Sequence, residues 1–431
     1  MQITRSVHKI LQILVAMVFV TGSSVIVKHF YHYAYDDLPT YYWATHLAFD
    51  DGASAYQPHY FQQLGQTLGR KIYPFLYPPP SLLLFTPFLL GDYEHIKTVF
   101  TLCNLVLWWW LTWLLYRLYC FYLKVDNHAV AGLLIPLWSL IFVPVLDTFR
   151  TGQINLFVLI CMMPLLFQPS RGWQQVASGA LLAIAIVLKV YLLLVLPVLI
   201  IMGQKKIWGW TLGTLILLCT VSVWWLPRNL WLDWLALGHD SGAYGKQLPN
   251  VMTIPWNQSL NGFFVRQFLD EKILSGTTHW HWLVYSGSSL LLVVTFYTVS
   301  RKLRQDAHGI SVAAVLIFLV MLLIAPLTWQ HHFVFAMPAM VCCFAWLARR
   351  GERLLMLMAV LFGAVISAPS LISVIFPDLA AMKMVDKTLP LGANLVVSAQ
   401  LLAGLGFWGL FCLLVICRGS ALPEMPSDKR S

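Results

Sequence analysis

Apolar segments, many of about 17–25 residues, recur along almost the whole chain, and no other feature constrains its fold as tightly. A run of that length reaches across the hydrocarbon core of a bilayer as a helix, because a helix satisfies its own backbone polar groups there. The segments fall near 10–28, 98–119, 130–146, 154–168, 175–188, 190–203, 207–226, 281–300, 310–327, 332–347, 354–376 and 392–417. This pattern predicts an all-α polytopic membrane protein with about 12 transmembrane helices (range 10–13). Composition agrees: 59% of the 431 residues are hydrophobic and 11% charged, against about 25% charge in a soluble domain.

Two interruptions matter. The piece at 81–91 follows Tyr73-Pro74 and the proline cluster YPPPS at 77–81. It is too short to cross, so it reads as a membrane dip. Segment 175–203 carries Lys189 in its middle and reads as two short crossings meeting at a turn there. Arg5 and Lys9 before the first apolar run resemble the start of a signal sequence. No small-residue cleavage site follows, so this run is expected to remain as the first helix.

The formal net charge of +10 invites a nucleic-acid partner, but its distribution argues against one. Basic residues cluster between spans: Lys205 with Lys206, Arg301 with Lys302 and Arg304, Arg349 with Arg350 and Arg353, and Arg418 with Lys429 and Arg430. Such clusters stay on the cytoplasmic side. They predict one multi-pass domain over 1–418, external loops at 30–80 and 227–280, and a short cytoplasmic tail at 419–431. The eight cysteines lie in or beside apolar spans without metal-ligand spacing. They read as small buried hydrophobes, and neither a metal nor a cofactor is expected.

Against this background the insert HYAYDDLPTYYWATHLAFDDGASAYQP at 32–58 stands apart. It holds Asp36, Asp37, Asp50 and Asp51, four of only eighteen acidic residues. Acids are costly near a bilayer and are kept where they meet water, a partner or a substrate. Asp50 and Asp51 precede Gly52 and read as a turn that stops a helix. Short amphipathic stretches in the insert are expected to lie along the membrane surface. Other polar groups fall on the same predicted side: Arg150, Gln153 and Asn155 in TFRTGQIN; Lys189 and Tyr191; Asn257, Gln258 and Asn261 in NQSLNG; and His331 with His332 in TWQHHF. Together they predict one pocket at the outer membrane surface.

Each residue also has a plainer reading. Asp37 could be a loop acid or a helix cap, and Lys189 a snorkelling lysine. The NQSLNG amides could cap the turn into the next short helix. Adjacent histidines on a helix point about 100° apart, which argues against a shared metal.

DLPTYYWA (37–44), GASAYQP, YPPPSLLLFTPFLL, RTGQINLFVLI, ASGALLAIAIVLKVYLLLVLPVLI, NQSLNGFF and LLIAPLTWQHHFVFAMPA resemble, in order, the blocks of glycosyltransferase family 87. These are GT-C type enzymes that include polyprenol-phosphate-mannose-dependent alpha-mannosyltransferases. The resemblance covers roughly residues 10–350. Where the family often has threonine-proline after the helix lysine, this chain has Val190-Tyr191. It implies a GT-C fold and transfer of a hexose, mannose above all, from a polyprenyl-phosphate donor to an external glycan or glycolipid acceptor. It also implies a bacterial cytoplasmic-membrane location with an extracytoplasmic active site. Asp37 matches the family's catalytic aspartate, with Asp36 the second candidate. Tyr41, Arg150, Gln153, Asn155, Lys189, Asn257, Gln258, Asn261, His331 and His332 are the implied substrate-binding set.

Two other classes compete. A lipid-linked glycan flippase would place ionisable groups at mid-bilayer, often within inverted repeats, whereas here they gather on one side and no repeat aligns. A non-catalytic subunit of an envelope-glycan assembly complex would need no external acid and would tolerate Asp37→Asn.

Overall fold

The computed structural model describes residues 5–33, 35–69, 72–123, 130–239, 254–268, 281–300, 309–369, 375–376 and 388–418. The expected tail at 419–431 lies outside the described residues, as do 240–253 and 269–280 of the second expected loop. Among the described residues every regular element is helical.

Helix α1 (Arg5–Tyr31) ends with Lys28 and His29 in its last turn, where positive charge offsets the carbonyl end of the helix dipole. Helix α2 (Leu38–Phe49) has Pro39 in its first turn and stops at Asp50, followed by Gly52 at a φ of +61°. It does not simply lie along a surface as its sequence suggested. Leu38, Tyr41, Tyr42, Ala44 and Ala48 are all buried, because its aromatic residues pack inward. Helices α3 (Pro58–Thr67) and α4 (Pro80–Phe85) follow, the second continuing as a 3-10 turn, Thr86–Leu90. This pair is too short to cross a bilayer unaided. Helix α5 (Tyr93–Leu123) starts earlier than the apolar pattern implied. Asp92 Oδ1 accepts the His95 amide at 2.8 Å, and this cap extends the helix into a polar turn.

The expected crossing at 130–146 is instead a broken pair, α6 (Leu134–Ile141) and α7 (Val143–Thr151), bent by 50°. Pro144 in the first turn of α7 removes a backbone donor at the bend. Next come α8 (Asn155–Leu166) and α9 (Gly172–Leu188). The chain breaks at Lys189 before a 3-10 turn (Val190–Leu194) and α10 (Val195–Ile201). Helices α11 (Lys205–Trp225), α12 (Arg228–His239), α13 (Leu260–Gln267), α14 (His281–Thr298) and α15 (Gly309–Ile324) follow. A 3-10 turn, Gln330–Ala336, runs into α16 (Met337–Arg350), then α17 (Arg353–Ser367), α18 (Leu391–Val397) and α19 (Ala399–Arg418).

Among the described residues five helices are long and apolar enough to cross a membrane, or six if the bent α6–α7 pair is one span. The other apolar helices have 10–17 residues, so length and composition alone do not reach the twelve crossings that the sequence pattern suggests. Burial sorts the helices. Within Gln330–Arg350, 89% of the apolar window is buried, against 17% in α11. Val312 through Phe318 of α15 have no exposed surface. A helix that is apolar all round either lies in the core or faces lipid; α15 and α16 form the core, and α11 sits at the rim. Between α9 and α11 the contact is close because Gly179 has no Cβ. One placed there would meet Trp210 Cβ at 2.6 Å and the Ile207 carbonyl at 2.8 Å. Small residues serve this purpose where lipid supplies no hydrophobic drive for helix association.

Candidate functional site

The breaks in the helices meet around one cavity of about 720 Å³, within the range of small-ligand sites. Its walls come from the 32–58 insert, the YPPP turn, α7 with its C-terminal loop, the break at Lys189 and the segment ahead of α16. Asp36, Asp37, Tyr41, Arg150, Gln153, Lys189, His331 and His332 all line it.

Asp37 occupies the cap position of α2, but its side chain makes no capping bond. The carboxyl is therefore available for other work. Its backbone amide instead donates to the Thr151 carbonyl at 2.8 Å, which fastens the insert to the end of α7. Gly152 permits this approach. Its φ is +71°, and an added Cβ would meet Leu38 and Tyr35 side-chain atoms at 2.9 Å. Burial raises the Asp37 pKa above the ordinary carboxylate value. A hydrogen bond from Gln153 and the positive charge of Lys189 oppose that rise, while the charge of Asp36 adds to it.

Asp36 is placed differently. Its carboxylate lies 3.4 Å from Arg150 Nη1, and both side chains are about half exposed. Arg150 also gives Nε–H to Asp147 Oδ1 at 2.7 Å, so its charge is already matched by two acids.

Lys189, also in the cavity lining, is buried, and among the described residues no ion pair engages it. Its Nζ is 3.4 Å from both Tyr77 Oη and His332 Nε2. Tyr77 Oη is 3.0 Å from Tyr41 Oη, which donates to Gln153 Oε1 at 2.8 Å. A continuous chain of polar contacts thus runs from Lys189 through Tyr77 and Tyr41 to Gln153, the residue that holds Asp37. Burial lifts the Tyr41 phenol well above its usual pKa, so it works as a neutral donor. Tyr41 also stacks on Phe85, with centroids 5.0 Å apart and planes at 8°, which fixes its direction.

Four expected site residues do not reach the cavity. Asn155 is fully buried and donates to the His331 carbonyl at 3.2 Å. Asn257 Nδ2 and Asn261 Nδ2 donate to the Pro326 carbonyl at 3.3 and 3.0 Å, and Asn257 Oδ1 accepts the Thr328 amide at 3.1 Å. Gln258 donates to the Pro255 and Val397 carbonyls and accepts the Leu401 amide. Ser259 caps α13 through the Gly262 amide at 3.1 Å. These bonds to backbone groups shape the chain that presents His331 and His332, although Asn155 Oδ1 is buried without a hydrogen-bond partner.

Tyr77 and Asp147 are among the cavity residues that the sequence reading did not single out. Tyr77 was hidden inside a motif valued for its prolines. Asp147 is a lone acid in an otherwise apolar segment, which was itself a signal.

The molecule is thus a polytopic helical membrane protein with a polar, ligand-sized cavity built where its helices break. The family model of glycosyltransferase family 87 matches residues 75–326, more than half of the sequence, and the chain belongs to that family. The matched region includes Arg150, Gln153, Asn155, Lys189 and the NQSLNG block; Asp36, Asp37, Tyr41 and the two histidines lie outside it.

Two Mycobacterium tuberculosis proteins are similar. The polyprenol-phosphate-mannose-dependent alpha-(1-2)-phosphatidylinositol mannoside mannosyltransferase of strain H37Rv is 25% identical over 282 residues, covering 62% of this chain and 61% of that protein. The polyprenol-phosphate-mannose-dependent alpha-(1-2)-phosphatidylinositol pentamannoside mannosyltransferase of strain CDC 1551 is 25% identical over 297 residues, covering 65% and 61%. The chain therefore spans about three fifths of the length of each relative.

Proposed function

We propose that this chain is an integral-membrane hexosyltransferase that moves mannose from a polyprenyl-phosphate carrier to a hydroxyl of a glycan or glycolipid. The observation that carries the reading is one cavity holding both a carboxyl free of capping duties, Asp37, and a buried lysine, Lys189, that makes no close ion pair among the described residues. Family membership and the names of the two relatives support the donor class.

In this reading the acceptor oxygen attacks the anomeric carbon as the bond from that carbon to the phosphate oxygen breaks. The bonding electrons leave with the polyprenyl phosphate, and the hydroxyl proton passes to Asp37. A positioned carboxylate suits the proton transfer. The departing phosphate needs positive charge and donors more than an acid, and Lys189, Tyr77 and His332 supply them. Arg150 is engaged by Asp147 and Asp36. The working arrangement is one domain over 1–418 with about twelve crossings, cytoplasmic termini and an extracytoplasmic cavity in a bacterial cytoplasmic membrane.

The test is transfer of radiolabelled mannose from synthetic polyprenyl-phosphate mannose to a panel of glycolipids by the purified protein. Asp37→Asn should lose about 100-fold or more of the rate, the scale of a general base, and an Asn variant of full activity would sink the assignment. Wild-type protein inert toward every lipid-phosphate hexose would instead favour a flippase or a non-catalytic subunit.

A further inference from the structure

Asp147 takes no part in the reaction just described, yet it is an acid inside an apolar helical segment with an ordered partner on each oxygen. Oδ1 accepts Arg150 Nε–H at 2.7 Å, and Oδ2 lies 3.1 Å from His331 Nδ1. A carboxylate facing Nδ1 holds the imidazole proton there and leaves Nε2 as an acceptor. His331 Nε2 is buried and has no hydrogen-bond partner, while the residue lines the same cavity as Asp37. The ring has little freedom. Its edge-to-face partner His332 lies 4.6 Å away, Trp329 is near-parallel to it at 6.4 Å, and Asn155 holds its backbone carbonyl. A buried polar atom without a partner costs free energy, so such an atom at a cavity wall fits a group that a ligand brings.

We propose that Asp147 is a positioning residue that holds His331 as its Nδ1–H tautomer, so that the bare Nε2 accepts a hydrogen bond from a hydroxyl of the sugar bound beside Asp37. The proposal rests on the hexosyl-transfer reading for its ligand, but not for its tautomer. Arg150 contributes by occupying Oδ1, which leaves only Oδ2 for the ring.

This arrangement makes Asp147→Asn informative. Arg150 Nε can only donate, so it claims the amide oxygen of the asparagine. The NH₂ group then faces His331 Nδ1, and the ring must move its proton to Nε2. The acceptor becomes a donor with little change of shape.

The experiment uses full-length protein with ¹⁵N-labelled histidine in detergent, with His331→Gln to assign the resonance, beside initial rates with synthetic polyprenyl-phosphate mannose. Wild type should show the Nδ1–H form and Asp147→Asn the Nε2–H form. The kcat/KM of the Asn variant should fall about 10–100-fold, the scale for leaving one buried hydrogen-bonding group unsatisfied. Asp147→Glu, which keeps the charge, should retain the wild-type tautomer and intermediate turnover, and it carries the test if the Asn variant fails to fold. A wild-type ring in the Nε2–H form overturns the proposal, as does an Asn variant with wild-type kcat/KM whatever its tautomer. Wild-type protein that transfers no hexose defeats the functional reading instead, and the histidine spectrum still decides whether Asp147 sets the ring.

Discussion

At the scale of single residues the insert resolves into two acids with different surroundings. Asp36 shares Arg150 with Asp147 and is half exposed, whereas Asp37 takes a hydrogen bond from Gln153 and shares the cavity lining with His331 and Lys189. Burial raises the Asp37 pKa above 3.8, and a base accepts a proton only when ionised. Turnover should therefore rise with pH through that raised pKa, giving an acid limb above the range of a free aspartate. A pH–rate profile of kcat/KM checks this, and a limb at or below 3.8 would contradict it. Gly152 makes a second prediction. Alanine there must hold a left-handed conformation, costing about 1–2 kcal/mol, and its Cβ presses on Leu38 and Tyr35. Gly152→Ala should lower both thermal stability and kcat, because the displaced backbone carries Asp37. A variant with wild-type kcat would separate the α7 loop from the placement of that acid.

At the scale of elements, the cavity exists because helices stop. Lys189 is presented by the break between α9 and the 3-10 turn after it, and Asp37 by the start of α2 against the end of α7. The histidines ride on a segment clamped by the NQSLNG amides. Behind that clamp lies Arg266, fully buried. It donates to the Ile254 and Asn257 carbonyls at 2.9 Å, to Asn394 Oδ1 at 3.1 Å and to Ser398 Oγ at 2.7 Å. It therefore joins the 254–268 segment to α18 and to Ser398, the residue that caps it. Arg266→Met fills much of the volume but strands these acceptors, at about 1–3 kcal/mol for a buried unsatisfied group. A thiol-reactive dye that reports exposure of the buried cysteines should record a lower melting temperature, and no change would remove this clamp from the account. Asn257→Ala, which frees the Thr328 amide and one bond to Pro326, should shift KM as well, since it loosens the chain ahead of His331.

For the molecule as a whole, the central question is which compartment the cavity faces. The basic clusters predict that Asp51 and Lys206 lie on opposite sides. In a cysteine-free background, Asp51→Cys should react with an impermeant maleimide on intact cells, and Lys206→Cys only after permeabilisation. The opposite pattern would invert the proposed topology. The short helices bear on the same question. An apolar stretch is legible in sequence as a count of residues, but a bend such as that between α6 and α7 divides one count into two elements with different directions.

The class of the protein was legible in the sequence because lipid leaves few options: long apolar runs must become helices whose backbones satisfy themselves. The break at Lys189, the DLPTYY start and the acids spared in an apolar chain were legible for a related reason, since polar groups in such a chain are costly unless used. Tertiary structure decided the rest. Asn155, Asn257, Gln258 and Asn261 looked like ligand contacts because amides suit sugars, yet each bonds the backbone of another segment and none lines the cavity. Asp147 and Tyr77 looked incidental until distant elements brought His331 and Lys189 to them. Sequence records which groups are available to bond; which partner each one meets depends on how the broken helices pack.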